Sequence, residues 1–310
     1  SSFLISGCTL KLGWGLRALT PDSFMQTTGT IEFIGTRTAS IELAAGNYLH
    51  NVVLSKTGSG TLSMGTDTTL NNLTINSGTM LVNHHSLSVN GNVNISGGAL
   101  NVAFSDDIVY VNGNWTNSRG SAGFIEGNGT VSFMGSGYSL ITSNETFNIL
   151  QIDKSLELGV GAALSANSYE FITGGLSLRD SSVLNTPADG FVLPMGSALR
   201  CSWGTAPTIN LYGNFVDYNM VIDGNNGFYC GNSIANVLGT GNRQIEASVL
   251  KFNDLNINLS GANCHINNYS PEFTGNVHLQ SGTLSGDYGS IYTFHQGLDT
   301  SPGTSLALAG

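Results

Sequence analysis

Charge is scarce in this sequence. Only 10% of its 310 residues are Asp, Glu, Lys or Arg, against ~25% in an ordinary soluble domain. Lys and Arg together number ten, scattered singly, in a chain of net charge -10. Neutralising phosphates takes a basic stripe, so no nucleic acid is expected as a partner. Long apolar runs are missing too: nothing approaches the ~18 residues that cross a bilayer as a helix, and no membrane span is expected. The opening SSFLISGCTLKLG has neither the cationic start nor the apolar run of a secretion signal. We therefore expect the numbering to begin after processing or inside a longer protein. Cysteine is limited to Cys8, Cys201, Cys230 and Cys264, without a CxxC or any other metal-ligand spacing.

Glycine, by contrast, is abundant at 41 residues, about twice the usual share. Disorder is excluded, because 40% of the chain is hydrophobic and its apolar residues alternate with Ser, Thr and Asn as half-buried strands require. From Leu73 to Phe133 the strands are legible one by one: LTI at 73, MLV at 80, LSV at 87, VNI at 93, LNV at 100, IVYV at 108 and VSF at 131. Between them stand NSG, NG, SGG and NGN, which supply positive φ and sharp corners at little steric cost.

A longer period lies over this rhythm. GTIEFIG at Gly29 to Gly35 returns as GTVSFMG at Gly129 to Gly135, with a weaker echo, ANVLG, ending at Gly239. Each is followed by a matching phrase: LHNVVLSK from Leu49, FNILQIDK from Phe147 and FNDLNINL from Phe252. Self-similarity of this kind marks a stacked architecture whose units bury their apolar sides only against neighbours.

We expect an all-β chain: a right-handed parallel β-helix, or β-solenoid, with a three-fold internal repeat of about 100 residues. One solenoid would cover residues 1–310, with repeats at roughly 29–128, 129–232 and 233–310, the last incomplete, and 1–28 as the end of a preceding repeat. A coil of three short strands takes ~20 to 22 residues, giving ~14 or 15 coils. Right-handedness follows from the chirality of strand–crossover–strand connections. The alternative, three β-sandwich domains, fits the long period but not the very short strands.

The segments VNGNWTNSRGSAGFIEGNGTVSFMGSGYSLITSNETFNILQI, Val111 to Ile152, and NNLTINSGT, Asn71 to Thr79, resemble the repeat region of long secreted β-solenoid surface proteins of Bacteroidetes and related bacteria, with their GNWTN, GTVxFxG and FxNLxI phrases. The resemblance implies a secreted, repetitive, non-catalytic protein of adhesion, matrix or cell envelope. It identifies a construction and not a ligand. Between Cys201 and Gly239 the text departs from it, and we expect a protruding loop there.

Enzymes that cleave polysaccharides share the β-helix, and their chemistry needs acids clustered on one face with a basic partner. Asp106-Asp107 is the only adjacent acidic pair, in an SDD that reads as a solvated turn. His84-His85 reads as a corner, since strand neighbours point to opposite faces and cannot share a metal. His50, His265, His278 and His295 are isolated. No catalytic, metal or cofactor site is therefore expected. Cys201 and Cys230 bracket the irregular segment and form our first choice of disulfide, worth ~3 to 4 kcal/mol in the chain-entropy model; buried free thiols are the competing reading. Cys8 has the option of bonding to another chain. Sequons at Asn72, Asn94, Asn114, Asn128, Asn144, Asn258 and Asn268 permit glycosylation without indicating it. Trp14, Trp115 and Trp203 are read as corner packing before sugar stacking.

The functional expectation is a non-catalytic structural protein of an extracellular fibre, sheath or cell-surface stalk, secreted and self-assembling, whose partners are other copies of itself and surface polysaccharide. The alternative is a carbohydrate-binding or carbohydrate-active β-helix module of adhesin, lyase or tail-spike type.

Overall fold

In the computed structural model, the described residues are all but 1–2, 202–204, 220–226, 248–249, 269 and 309–310, with backbone alone described for 3–5, 230 and 231. The chain is all-β. Among the described residues the only helical element is a 3-10 turn, Gly120–Ala122, and every named strand pairing is parallel. Two compact units, Ser1–Gln151 and Ile152–Gly310, are each a parallel β-solenoid.

In the first unit, strand Thr9–Leu12 pairs with Thr30–Gly35, which pairs with Leu49–Lys56, which pairs with Thr68–Ser77. Asn51 lies opposite Asn72, one coil of 21 residues further on. Strand Thr68–Ser77 bends through a corner and pairs on both sides of it: Leu70 meets Val89, and Leu73 meets Val93. Two faces thus share one continuous ladder without closing into a barrel. The third face is a separate sheet of six short strands running from Leu16–Ala18 to Phe124–Ile125.

Alternation decides which side chains turn inward. In Ser86–Val89 the residues Leu87 and Val89 are buried, while Ser86 and Ser88 are only half-buried. Strand pairing then stacks like on like: Leu70, Val89, Val111 and Phe133 form one inner column, and Leu62, Met80, Leu100 and Phe124 another. All eight are at most 2% exposed. Corners carry the glycines for reasons of space: a Cβ on Gly98 would sit 2.4 Å from the carbonyl oxygen of Gly78 on the preceding coil.

The second unit is built alike. Leu164, Leu184, Ile209, Ala235, Leu255 and Val277 stack along one face. Phenylalanines fill the interior: Phe191 stacks on Phe215 at 6.0 Å, Phe215 meets Phe228 at 5.3 Å, and Phe228 meets Phe252 at 4.9 Å. Ring pairs at such distances add to the burial of apolar area.

All seven strands read between Leu73 and Phe133 are present. Two expectations need correction. Coil length is less uniform than ~20 to 22 residues: hydrogen-bonded outward residues are 20 apart for Ser165 and Asn185, 25 for Asn185 and Asn210, and 26 for Asn210 and Asn236. A parallel ladder tolerates such variation so long as the register returns. Moreover, the irregular text from Cys201 to Gly239 is largely strand: Thr208–Leu211, Phe215–Asp217 and Gly227–Gly239, with a register shift between Cys230 and Ile234. Part of the loop expected there falls outside the described residues.

The repeated phrases share local features. Gly35, Gly135 and Gly239 have φ of 82°, 94° and 118°, a region that favours glycine. Leu49, Phe147 and Phe252, the first residues of the matching phrases, are buried, and so are the last, Lys56, Lys154 and Leu259. Against each last residue packs a glycine of the next coil, Gly78, Gly174 or Gly282.

The core makes a direct prediction. Phe191 is 1% exposed and touches Phe171 and Phe215, whereas Val160 is 68% exposed. Phe191→Ala should cost about 3–5 kcal/mol, and Val160→Ala less than about 0.5 kcal/mol, as read by urea unfolding.

Candidate functional site

The corner holding His84, His85, Asp106 and Asp107 is the first place where the sequence offered chemistry. Asn83 and His84 both have positive φ, 58° and 66°, so the two histidines sit in a tight bend and not on a strand. Asp107 is fully buried, contrary to the solvated turn expected for the pair. Its carboxylate accepts the backbone N–H groups of His84 at 2.5 Å and Phe104 at 3.0 Å, which makes it the cap of this corner. Asp106 stays exposed and meets His84 Nδ1 at 2.9 Å, while the imidazole stacks on Phe104 at 3.7 Å. The hydrogen bond from His84 holds the Asp106 carboxyl below its usual range. His85 Nδ1 instead faces Asp67 at 3.6 Å. The two histidines thus serve two different carboxylates, one on each adjoining coil.

That arrangement recurs. His265 meets Asp287 at 3.1 Å, His278 meets Asp299 at 3.5 Å, and His295 meets Glu272 at 2.9 Å. Lys11 with Glu32, Arg17 with Glu42, Arg179 with Glu157 and Lys251 with Glu272 follow the same rule. Every one of these contacts joins neighbouring coils. They are largely exposed, and exposed pairs are worth little individually. Among the described residues no group of three or more His, Cys, Asp or Glu side chains is placed to hold a metal.

A buried polar cluster lies inside the first unit. Trp115, expected at a corner, is fully buried against Phe124 at 5.0 Å and Phe147 at 5.7 Å. Its Nε1 donates to Glu145 Oε1 at 2.9 Å; Ser143 Oγ donates to the same oxygen at 2.8 Å, and Asn117 Nδ2 to Oε2 at 3.3 Å. Glu145 itself is 5% exposed. Burial pushes its carboxyl from 4.5 up to about 7, against the pull of the three donors.

The remaining expected residues divide. Trp14 is 66% exposed with the Arg37 guanidinium 4.8 Å from its ring, and Trp203 lies outside the described residues. Cys201 is disulfide-bonded, while the side chain of Cys230, its expected partner, lies outside the described residues. Cys8 is a free exposed thiol; Cys264 is free and buried, its thiol pushed up to about 12 by burial. Of the sequons, Asn94, Asn114, Asn128, Asn144 and Asn258 are exposed, Asn72 is half-buried and Asn268 is buried.

One constellation was not visible in the sequence. Ser285 Oγ lies 3.0 Å from His265 Nδ1, His265 Nε2 lies 3.1 Å from Asp287 Oδ1, and Asn263 Nδ2 lies 2.8 Å from Ser285 Oγ. All four residues are on the outside of two adjacent coils, where His265 pairs in register with Ser285. Only a coil length known to the residue brings them together, and no local motif announces it.

Glu145 gives the site's titration prediction. Its folded value lies above its unfolded one, so between them the folded state holds the extra proton. The resulting stability is complete below pH ~4.5 and is lost as pH rises through ~7, by about 3 kcal/mol in all. Glu145→Gln should flatten this part of the stability–pH profile, measured by denaturant unfolding from pH 4.5 to 8. An unchanged slope in the variant would assign the effect elsewhere.

No protein-family model, no curated protein and no solved structure matches this chain.

Proposed function

We propose that this chain is a non-catalytic structural segment of an extracellular fibre, sheath or cell-surface stalk, secreted and assembling with other copies of itself. The observation that carries this reading is the outer face of the second unit. There Asn185 donates to Ser165, Asn210 to Asn185, Asn236 to Asn210 and Asn256 to Asn236, at 2.8 to 3.0 Å, one bond per coil. Such a ladder uses the polar surface to link coil to coil, as a mechanical scaffold requires and a substrate groove does not. Sparse charge supports self-association, because charged edges and faces are what ordinarily keep β-proteins apart. Exposed Tyr288, Ile291 and Leu306, at 84%, 70% and 47%, add apolar surface in the second unit.

The right-handed sense of the coil and the repeat of about 100 residues belong to the same proposal. The first is supported by the general chirality of parallel crossovers. The second is supported by the shared glycine conformations and by the burial of Lys56, Lys154 and Leu259. The likeness to long secreted surface proteins of Bacteroidetes rests on the quoted phrases.

Sedimentation velocity and negative-stain microscopy of the native protein test the assembly. Concentration-dependent association into fibres or tubes is expected. Monomer at every concentration would leave only the stalk form of the proposal.

A second reading, binding of surface polysaccharide, is favoured by a half-open depression of about 380 Å³ in the first unit, lined by Ser88, Asn90, Tyr110, Asn112 and Met134. An aromatic face beside two amides suits a sugar ring. Glycan-array binding lost at least tenfold in Tyr110→Ala would support it, and binding unchanged in that variant would remove this site from consideration.

A further inference from the structure

We propose that Ser285 is an activated serine, an acyl acceptor for small activated esters, with His265 as its general base and Asp287 as the positioning residue. The strand Asn276–Gly286 runs parallel to Lys251–Asn267, and Ser285 stands opposite His265. Asp287 follows directly after that strand and reaches back to the other side of the imidazole.

The direction of the hydrogen bonds follows from the chemistry of each group. An ionised Asp287 carboxylate only accepts, so it takes the Nε2–H of His265 at 3.1 Å. Nδ1 is then the acceptor, and the proton 3.0 Å away on Ser285 Oγ is the one it accepts. The hydroxyl oxygen still has a lone pair to take the Asn263 Nδ2–H at 2.8 Å. The result is a one-way chain from amide to hydroxyl to imidazole to carboxylate. A nucleophile hydrogen-bonded to a base that a third group orients is the arrangement that makes serine reactive. The Asn263 amide adds a donor toward negative charge growing on Oγ.

The surroundings keep the base accessible. The side chains of His265 and Asp287 are 35% and 42% exposed. Gln244, in register with His265, directs its amide to Glu246 at 3.2 Å. Thus Asp287 supplies the negative charge in direct contact with the imidazole, and Glu246 stands on the adjoining coil. The site lies on the outer side of two coils beside Tyr292, whose hydroxyl donates to the Ile266 carbonyl at 3.2 Å, and with His265 and Asp287 partly open to solvent the substrate class is small activated acyl donors.

The step balances without a further reactant. Ser285 Oγ attacks the ester carbonyl carbon, and its proton passes to His265 Nδ1. The new Oγ–C bond is kept, the C–O bond to the leaving group breaks, and the departing alcohol or phenol takes the proton from His265. The products are O-acyl-Ser285 and the free alcohol. This inference is independent of assembly, since it concerns only outward side chains of two adjacent coils of the second unit.

The test uses the whole chain with p-nitrophenyl acetate and, separately, with a fluorophosphonate probe, each adduct being located by peptide mass spectrometry. Ser285 should be modified at least about tenfold faster than the other serines, at a rate that rises sigmoidally with pH. His265→Gln, which keeps a hydrogen-bonding side chain but no base, should slow it about a hundredfold. Asp287→Asn should slow it by a smaller factor and change the shape of the pH profile. Thermal melting of each variant reports whether the coils remain folded. Labelling of wild-type Ser285 no faster than that of other serines, or undiminished labelling in a folded His265→Gln variant, would overturn the proposal.

Discussion

The parallel hydrogen-bonded ladder, advancing by one coil at each step, is the constraint on which the rest of both units depends. It places each residue beside the one some 20 to 26 positions further along. An inward residue therefore always meets another inward residue, and an outward one another outward one. The Phe191, Phe215, Phe228 and Phe252 interior and the Asn185 to Asn256 exterior come from the same register. Ion pairs obey it as well: Lys11 with Glu32, Arg17 with Glu42, Arg179 with Glu157 and Lys251 with Glu272 each span adjoining coils.

A solenoid's cross-section is small, so the partners open to a polar group turned inward are those of its own coil or the next. Lys56 shows the consequence. It is fully buried, its Nζ donates to the carbonyls of Ile34 at 3.3 Å and Arg37 at 2.7 Å, and burial holds its amine below the usual lysine range. Those carbonyls lie at the end of the preceding coil's strand and just beyond it. Asp107 does the equivalent for two N–H groups at the His84 corner, and Glu145 for the Trp115 indole. Removing a partner from such a group leaves a buried donor or acceptor exposed to no water, which costs on the order of 1–3 kcal/mol. Lys56 and Glu145 thus fix corners of their coils more than they offer chemistry.

Fold class was legible in the sequence because alternation and corner residues are local. Leu87 and Val89 inside with Ser86 and Ser88 toward solvent is written in the four letters SLSV. The details that fail are those that need a running total. Trp115 was read as a corner residue because it follows Gly-Asn, yet it turns inward, since its register partners are Val93 and Ile141. Asp107 was read as solvated because SDD is an ordinary turn string, and only the neighbouring coil's His84 N–H explains its burial. His265 carried no signal because its partners are 20 and 22 residues away. With coils that vary in length, an error of one residue moves a side chain to the other face.

That dependence on register also bears on how chemistry arises on such a surface. On a globular enzyme a nucleophile and its base are brought together by loops from distant parts of the chain. On a ladder, a serine and a histidine in outward positions one coil apart are neighbours by construction, and no change of fold is needed to pair them. The same face that gives an amide ladder through Asn185, Asn210, Asn236 and Asn256 continues in register to His278, which pairs with Asp299. Nine residues beyond Asn256 on the same strand, past a break in register between Asn258 and Asn263, His265 meets Ser285 and Asp287. The backbone is common to both, so what separates the amide ladder from the Ser285–His265–Asp287 cluster is the identity of two or three side chains. The proposed scaffold role and the proposed activated serine are therefore compatible on one backbone.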